Sequence, residues 1–356
     1  MIGDLQPATM IPLGETKQGP DARFVGTIKE QIEDFIVEEI PAYEPMGGDG
    51  EHLFLWVEKR DLSAEQLMQH FSRTLRLRRE DIGMAGLKDK KGITRQYISV
   101  PKLVSPSVPE LNNEQVTILK SMVHRNKLKT GHLLGNRFDI LIRTSDPDAP
   151  AKAERVAQMI RDFGVPNYYG EQRFGKDNET LILGYRLLTG DANVKEIPFE
   201  RRRFLLRLAL SSVQSDLFNR ILLERLQSDE LHRVLDGDVM QKLDSGGVFT
   251  DDNTELLQRR FETREIVMTG PMYGPKMFQP KSAVLEKEQA LLDRMQIKRE
   301  LFQEYRVTPG TRRALLMYPG ELEIEPQPAG IRVRFSLPSG SYATIVLAEF
   351  AKQIDA

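Results

Sequence analysis

The sequence has no cysteine and only five histidines among its 356 residues. Without cysteine it can form no disulfide, no thiolate nucleophile and no cysteine-based zinc site. The histidines form neither an HExxH motif nor a close pair, so the sequence predicts no metal site. No apolar run approaches the roughly 20 residues of a membrane span, so no membrane association is expected either.

The N-terminal stretch lacks the basic segment and long apolar segment of a secretion signal, which makes the cytoplasm the expected location. A chain of 356 residues is long enough for about two domains of roughly 150 residues each. Hydrophobic residues make up 40% and charged residues 29% of the chain, as in an ordinary globular protein.

The formal net charge of −2 gives no overall attraction to nucleic acid, yet positive charge is concentrated in three segments. Residues 73–102 carry five arginines and four lysines against three acids, a net charge of +6. Residues 120–143 have a net charge of +5, and residues 200–207 one of +3. Such segregation is typical of a groove that follows the phosphates of a nucleic acid, although for any single segment a solvated turn or helix face is the favoured explanation.

Hydrophobic periodicity predicts a strand-rich start and end and a more helical middle. Alternating apolar residues predict strands at residues 34–40, 52–58, 136–144 and 331–337. Helical spacing predicts a helix that begins after Ser63, and further helices at residues 151–163, 199–227, 255–263 and 282–303. The simplest architecture is one α+β domain built from both ends of the chain, with a second domain inserted between them.

The segment "GMAGLKDKKGITRQY", residues 83–97, holds a single acid, Asp89, among Lys88, Lys90 and Lys91. We expect Asp89 on a connection from a helix to a strand, where a scaffold can present it to a cleft. A carboxylate can act as a nucleophile or a base, and cationic neighbours stabilise its charged form. A solvated charged turn is the alternative interpretation.

Several stretches resemble the TruD family of RNA pseudouridine synthases in order and spacing. They are "TIKEQIEDFIVEE", "AGLKDKKGITRQY", "HRNKLKTGHLLGNRF", "NYYGEQRFG" and the tail "RFSLPSGSYAT". The segment "LDGDVMQKLDSGGVF" is similar to part of that family's inserted domain. The resemblance covers nearly the whole chain apart from roughly the first twenty residues.

The resemblance implies a pseudouridine synthase catalytic domain, a mixed and largely antiparallel sheet with helices, formed by residues 1–166 and 309–356. Residues 167–308 would form an inserted α/β domain, the TRUD domain. The implied activity is conversion of uridine to pseudouridine in tRNA, at uridine 13. No cofactor and no obligatory protein partner are implied.

The resemblance also implies roles for single residues. Asp89 matches the catalytic aspartate of the family's "GLKD" motif, and Lys29 matches a basic residue near it. Substrate contacts are implied for Phe35, Asn136, Tyr342 and Phe138, the last of which would stack on the target base. We expect phosphate contacts from the basic residues around these motifs, namely Lys88, Lys90, Lys91, Arg125, Lys127 and Lys129.

Other interpretations stay open at this point. Taken singly, Phe35 and Phe138 fit core positions, Asn136 a turn and Tyr342 a packing position, and Lys29 fits a surface lysine. The whole protein could be a non-catalytic RNA-binding protein or RNA chaperone with the same cleft. A hydrolase of glycosidic bonds is less suited, because it normally requires two facing carboxylates. The route of attack, at C1′, at C6 or through a glycal, is undecided.

Overall fold

The computed structural model describes residues 6–13, 22–45, 47–305 and 307–355. Its strands are β1 (Phe24–Thr27), β2 (Phe35–Pro41), β3 (His52–Arg60), β4 (Gly83–Met84), β5 (Ile93–Pro101), β6 (Val116–His124), β7 (Leu133–Arg143), β8 (Val165–Pro166), β9 (Met240–Lys242), β10 (Val248–Phe249), β11 (Ile266–Met272), β12 (Thr311–Ala314), β13 (Leu316–Met317), β14 (Gly320–Gln327), β15 (Gly330–Pro338) and β16 (Ala351–Asp355).

The α-helices are α1 (Ala64–Thr74), α2 (Ala149–Phe163), α3 (Glu179–Thr189), α4 (Phe199–Gln227), α5 (Thr254–Glu262), α6 (Ser282–Arg294), α7 (Leu301–Glu304) and α8 (Ala343–Phe350). None of the helices in the described ranges is long and apolar enough to cross a membrane.

The chain forms two compact units. One contains the described residues of 22–162 and 318–355, and the other contains residues 163–317 together with residues 6–13. These limits differ from the predicted domain boundaries by four residues at the first junction and nine at the second, and the N-terminal residues 6–13 group with the middle of the chain. There the Ala8 amide donates to Asp216 at 2.8 Å. Which activity each unit carries stays a prediction.

The first unit is built on a sheet of ten described strands to which both ends of the chain contribute. Its main path runs in the order β14, β15, β7, β2, β5, β3, β6, with β1, β4 and β16 attached at its sides. The pairs β1–β16 and β2–β5 are parallel, and the other pairs are antiparallel. The predicted α+β fold with a mixed, largely antiparallel sheet is therefore confirmed.

Local sequence signals explain several of these elements. Helix α1 begins at a capping box in which the Ser63 side chain accepts from the Gln66 amide and the Gln66 side chain accepts from the Ser63 amide. Strand β15 buries alternate apolar residues, as its predicted period of two requires: Ile331, Val333, Phe335 and Leu337.

The register of the sheet places the predicted site residues on one face. Across β2 and β7, Phe35 lies opposite Ile140, Val37 opposite Phe138 and Glu39 opposite Asn136. Side chains of directly opposed residues project from the same face of a sheet. Residues at 35 and 39 of β2 therefore share their face with residues 136 and 138 of β7, although they lie far apart in sequence.

The second unit is more helical, as predicted. A four-stranded antiparallel sheet in the order β10, β9, β11, β12 accompanies the largely buried α4. The prediction of a single helix at residues 282–303 is wrong, because α6 ends at Arg294 and α7 begins only at Leu301. Gln296 takes a left-handed conformation at φ 56°, and this break turns Ile297 into the core.

Candidate active site

Asp89 lies in the loop of residues 85–92, which joins β4 to β5. We expected a connection from a helix to a strand, but the short strand β4 intervenes and pairs with β5 through Gly83 and Ser99. The loop is therefore the tip of a hairpin on the large sheet. The Asp89 side chain is 48% exposed, so its carboxylate is accessible from solvent.

Lys29 approaches this carboxylate from the turn that follows β1. Its ammonium lies 3.9 Å from Oδ1 of Asp89 and 4.2 Å from the centre of the Phe35 ring. The Lys29 backbone is left-handed at φ 59°, a conformation that a lysine rarely adopts, and only 12% of its side chain is exposed. The expectation that Lys29 lies near Asp89 is thus confirmed, and Phe35 joins the same cluster through a cation–π contact.

Lys88, the residue before Asp89, points into the protein. Its ammonium donates to Oε2 of Glu39 at 2.8 Å, and both side chains are almost fully buried. Oε1 of Glu39 accepts the backbone amide of Tyr97 at 3.3 Å. The Glu39 carboxylate thus connects β2, the Asp89 loop and β5. A lysine neutralised in this way is not available to an RNA phosphate, which corrects the role expected for Lys88.

Lys59 holds the loop from a second side. It belongs to β3 and is 0% exposed. Its ammonium donates to the main-chain carbonyls of Leu62, at 2.6 Å, and of Asp89, at 2.5 Å. Burial lowers the pKa of Lys59 to about 8, an effect that the nearby Asp89 carboxylate opposes.

Gly92 fixes the far end of the loop. Its φ is +118°, and a Cβ atom there would lie 2.3 Å from the Phe35 carbonyl oxygen. No other residue fits this close approach of two backbones. The loop is therefore fastened at three points, by Lys88, by Lys59 and by the contact between Gly92 and Phe35.

Asn136 occupies the predicted face of β7, opposite Glu39 and Leu337. The residue is half-buried, and its Oδ1 atom has no hydrogen-bond partner within the described ranges. A buried amide oxygen normally has a partner, in the protein or in a bound molecule. Asn136 therefore has an acceptor that a ligand can satisfy.

The two aromatic residues expected at the substrate are part of the core in this structure. Phe138 is 6% exposed and stacks on Phe335, with ring centres 5.3 Å apart. Phe35 is also buried. Both side chains thus lie in the hydrophobic core, as the alternative interpretation expected. Their contact with a base remains a proposal.

Tyr342 stands at the N-terminus of α8, where it is half-buried. It follows the end of β15, at which Leu337 pairs with Asn136 and the Ser339 amide donates to the Leu134 carbonyl at 2.9 Å. From Leu337, the sheet partner of Asn136, the chain reaches Tyr342 after five residues.

Four of the remaining predicted phosphate ligands are exposed, namely Lys90, Lys91, Arg125 and Lys129. Lys127 is half-buried, and its ammonium donates to the Glu80 carbonyl. A lysine ammonium has three donors, so this bond leaves Lys127 able to bind a further group.

Sequence reasoning missed Lys59 and Glu39, which hold the Asp89 loop. A signal for Lys59 existed: in "HLFLWVEKR" it takes the interior position that follows Leu53, Leu55 and Val57 in the alternation. A lysine at a position reserved for apolar residues indicates a buried partner. Glu39 shows the same signal on β2, because it continues the interior positions of Phe35 and Val37.

Two further polar residues on β5 were also missed. Thr94 and Gln96 are fully buried, and neither Oγ1 of Thr94 nor the amide atoms of Gln96 have a partner within the described ranges. Thr94 lies between Lys59 on β3 and Val37 on β2, so it belongs to the interior face beneath the Asp89 loop.

Comparison with known proteins agrees with this fold. The family model described as tRNA pseudouridine synthase D (TruD) matches residues 20–195 and 201–350. A tRNA pseudouridine synthase D of Anaeromyxobacter sp. (strain Fw109-5) is 37% identical over 92% of this chain and 93% of its own. One from Thermus thermophilus is 38% identical over 92% of this chain and 89% of its own.

A solved structure shows the same fold. The crystal structure from Methanosarcina mazei described as a putative tRNA pseudouridine synthase D superposes with a TM-score of 0.77. It covers 98% of this chain and 97% of its own at 23% identity. This similarity shows that the two chains share a fold. Together with the match along most of the sequence, this establishes that the chain belongs to the TruD family.

The buried pair of Lys88 and Glu39 can be tested by comparing a single substitution with a double one. Glu39→Gln leaves a buried ammonium without its carboxylate, so we expect the free energy of unfolding to fall by about 3–5 kcal/mol. In Glu39→Gln/Lys88→Met the uncompensated charge is gone, and the loss should be smaller than in Glu39→Gln alone. Denaturant unfolding measures all three proteins.

The exposed pair of Arg259 and Glu255 on α5 is the matched control, because Glu255→Gln should cost less than about 1 kcal/mol. If Glu39→Gln costs as little as Glu255→Gln, the pair does not fasten the loop.

Proposed function

We propose that this protein is a pseudouridine synthase that isomerises a uridine of tRNA, uridine 13, with Asp89 as the catalytic carboxylate. The observation that carries the proposal is the half-exposed Asp89 carboxylate, held beside Lys29 on a loop that buried contacts fix to the sheet. Membership of the TruD family supports the activity, since the relatives at 37% and 38% identity are tRNA pseudouridine synthases D.

The reaction needs little beyond such a carboxylate. The bond from ribose C1′ to N1 of uracil breaks, and a bond from C1′ to C5 forms. The hydrogen on C5 is lost as a proton and N1 gains one, so no electrons and no groups are exchanged with another molecule. Asp89 can attack C1′, attack C6, or remove a proton to form a glycal, and each route uses the same carboxylate.

The remaining site residues suit recognition of uracil. The target base has to leave its stack to reach Asp89. The Asn136 amide offers both a donor and an acceptor to the edge of uracil, and its Oδ1 has no partner within the described ranges. Tyr342, Phe35 and Phe138 supply aromatic surface, the last two after a local rearrangement that would expose their rings.

RNA phosphates would be bound by the exposed and half-buried cations near the loop. In this role we retain Lys90, Lys91, Arg125, Lys127 and Lys129, and exclude Lys88 because of its pair with Glu39. Such contacts position the RNA without reading its sequence.

Asp89→Asn tests the catalytic role. It removes the nucleophilic charge but keeps the size of the side chain, so we expect release of tritium from RNA labelled at C5 of uridine to fall at least about 1,000-fold. RNA affinity should change by less than about threefold, because the variant retains the phosphate contacts. Asp49→Asn, which removes an exposed acid, should keep full activity.

Comparable turnover by Asp89→Asn and the unchanged protein would refute the catalytic assignment. A complete absence of tritium release from the unchanged protein with every tRNA would instead indicate a non-catalytic RNA-binding protein.

The phosphate contacts predict a defined salt dependence. The slope of the logarithm of RNA affinity against the logarithm of salt concentration should become shallower by about 1 for each lysine removed from a phosphate. Lys90→Gln/Lys91→Gln should therefore change it by about 2. Lys242→Gln, at an exposed lysine of the second unit, serves as the control and should change it little. Equal slopes for the three proteins would contradict the proposed contacts.

A further inference from the structure

Lys59 has a role that core packing does not explain. Lysine is almost never fully buried unless it is paired, because removing an ammonium from water is costly. No acidic side chain in the described ranges forms an ion pair with Lys59. Its ammonium bonds instead to the carbonyl oxygens of Leu62 and Asp89. Leucine or methionine would fill this interior position of β3 without that cost.

The lysine adds a hydrogen bond to one particular peptide group, that of Asp89. Within the described ranges, no other donor bonds to the carbonyl of Asp89. The loop of residues 85–92 forms no regular ladder at this residue, so the bond from β3 replaces the support that a strand would give. The Leu62 carbonyl anchors the same ammonium on the turn that follows β3, and this second bond fixes the direction of the Lys59 side chain.

The held carbonyl and the reactive carboxylate belong to the same residue. A shift of the Asp89 main chain therefore moves the carboxylate with it, relative to Lys29 and to any bound uridine. Misplacement of a reacting group by about 1 Å can cost about 100-fold in rate. A fixed main chain at this point preserves the alignment even though the carboxylate itself is open to solvent.

We propose that Lys59 is a positioning residue for the isomerisation: its buried ammonium holds the Asp89 peptide group so that the carboxylate meets the flipped-out uridine in reactive geometry. This inference rests on the proposed catalytic role of Asp89. Three charged groups act on the Lys59 ammonium: the carboxylates of Asp89 and Asp61 attract it, and the Lys88 ammonium repels it. Burial lowers the pKa of the Lys59 ammonium to about 8, because the interior disfavours its charged form.

The test compares Lys59→Met with Leu55→Ala under single-turnover and steady-state conditions on the same tRNA. Leu55 is fully buried on the same face of β3. Leu55→Ala therefore measures the effect of lost core stability while the hydrogen bond from Lys59 to Asp89 is retained. Both variants are assayed at a temperature at which unfolding measurements show that they are folded. We expect Lys59→Met to lower kcat about 10- to 100-fold with KM within about threefold of the original value, and Leu55→Ala to retain kcat within about twofold.

Three results would overturn the proposal: an unchanged kcat for Lys59→Met, a loss of kcat no larger than that of Leu55→Ala, or a loss confined to KM. If Lys59→Met does not fold, Lys59→Leu is used with the same criteria, because leucine also fills the interior position and has no donor for the Asp89 carbonyl. Asp89→Asn is measured in parallel. An active Asp89→Asn refutes the proposed function, whereas an inactive Asp89→Asn with a fully active Lys59→Met refutes only the role of Lys59.

Discussion

The site depends on one constraint: a carboxylate that is open to solvent must still be held in a fixed place. The protein meets it by fixing the main chain around Asp89 and leaving the side chain accessible. Lys59 holds the carbonyl of Asp89 itself, and Lys88 anchors the preceding residue to Glu39. Both lysines are buried, and Lys59 lies where the strand pattern would place an apolar residue, so part of the core provides polar support to the loop.

The large sheet makes this support possible because it gathers distant parts of the chain. Strands β2 and β3 carry the residues that fasten the loop, β7 carries Asn136, and β15 leads to Tyr342. In sequence, strand β15 follows the last residue of the second unit. A single sheet thus assembles residues from both ends of the chain, and the register between β2 and β7 decides which of them share a face.

The sequence predicted well those features that arise from local patterns. Three such features depend only on residues close together in sequence, and all three are observed: the capping box at Ser63, the long helix α4 and the alternation of β15. The resemblance to the TruD family also placed Lys29 beside Asp89. Features that depend on tertiary contacts were missed. Lys88 was expected to contact RNA, whereas it pairs with Glu39, 49 residues earlier. A lysine in a glycine-rich loop does not indicate such a distant buried partner. The break between α6 and α7 was also missed; there the left-handed Gln296 precedes the buried Ile297.

The most direct test of the account is a structure of the Asp89→Asn protein bound to its tRNA. We predict that the target uridine is flipped out, that C1′, C2′ or C6 lies within about 3.5 Å of the residue 89 side chain, and that the Lys59 ammonium still contacts the residue 89 carbonyl. A uridine bound away from residue 89, with the 85–92 loop unchanged, would contradict it.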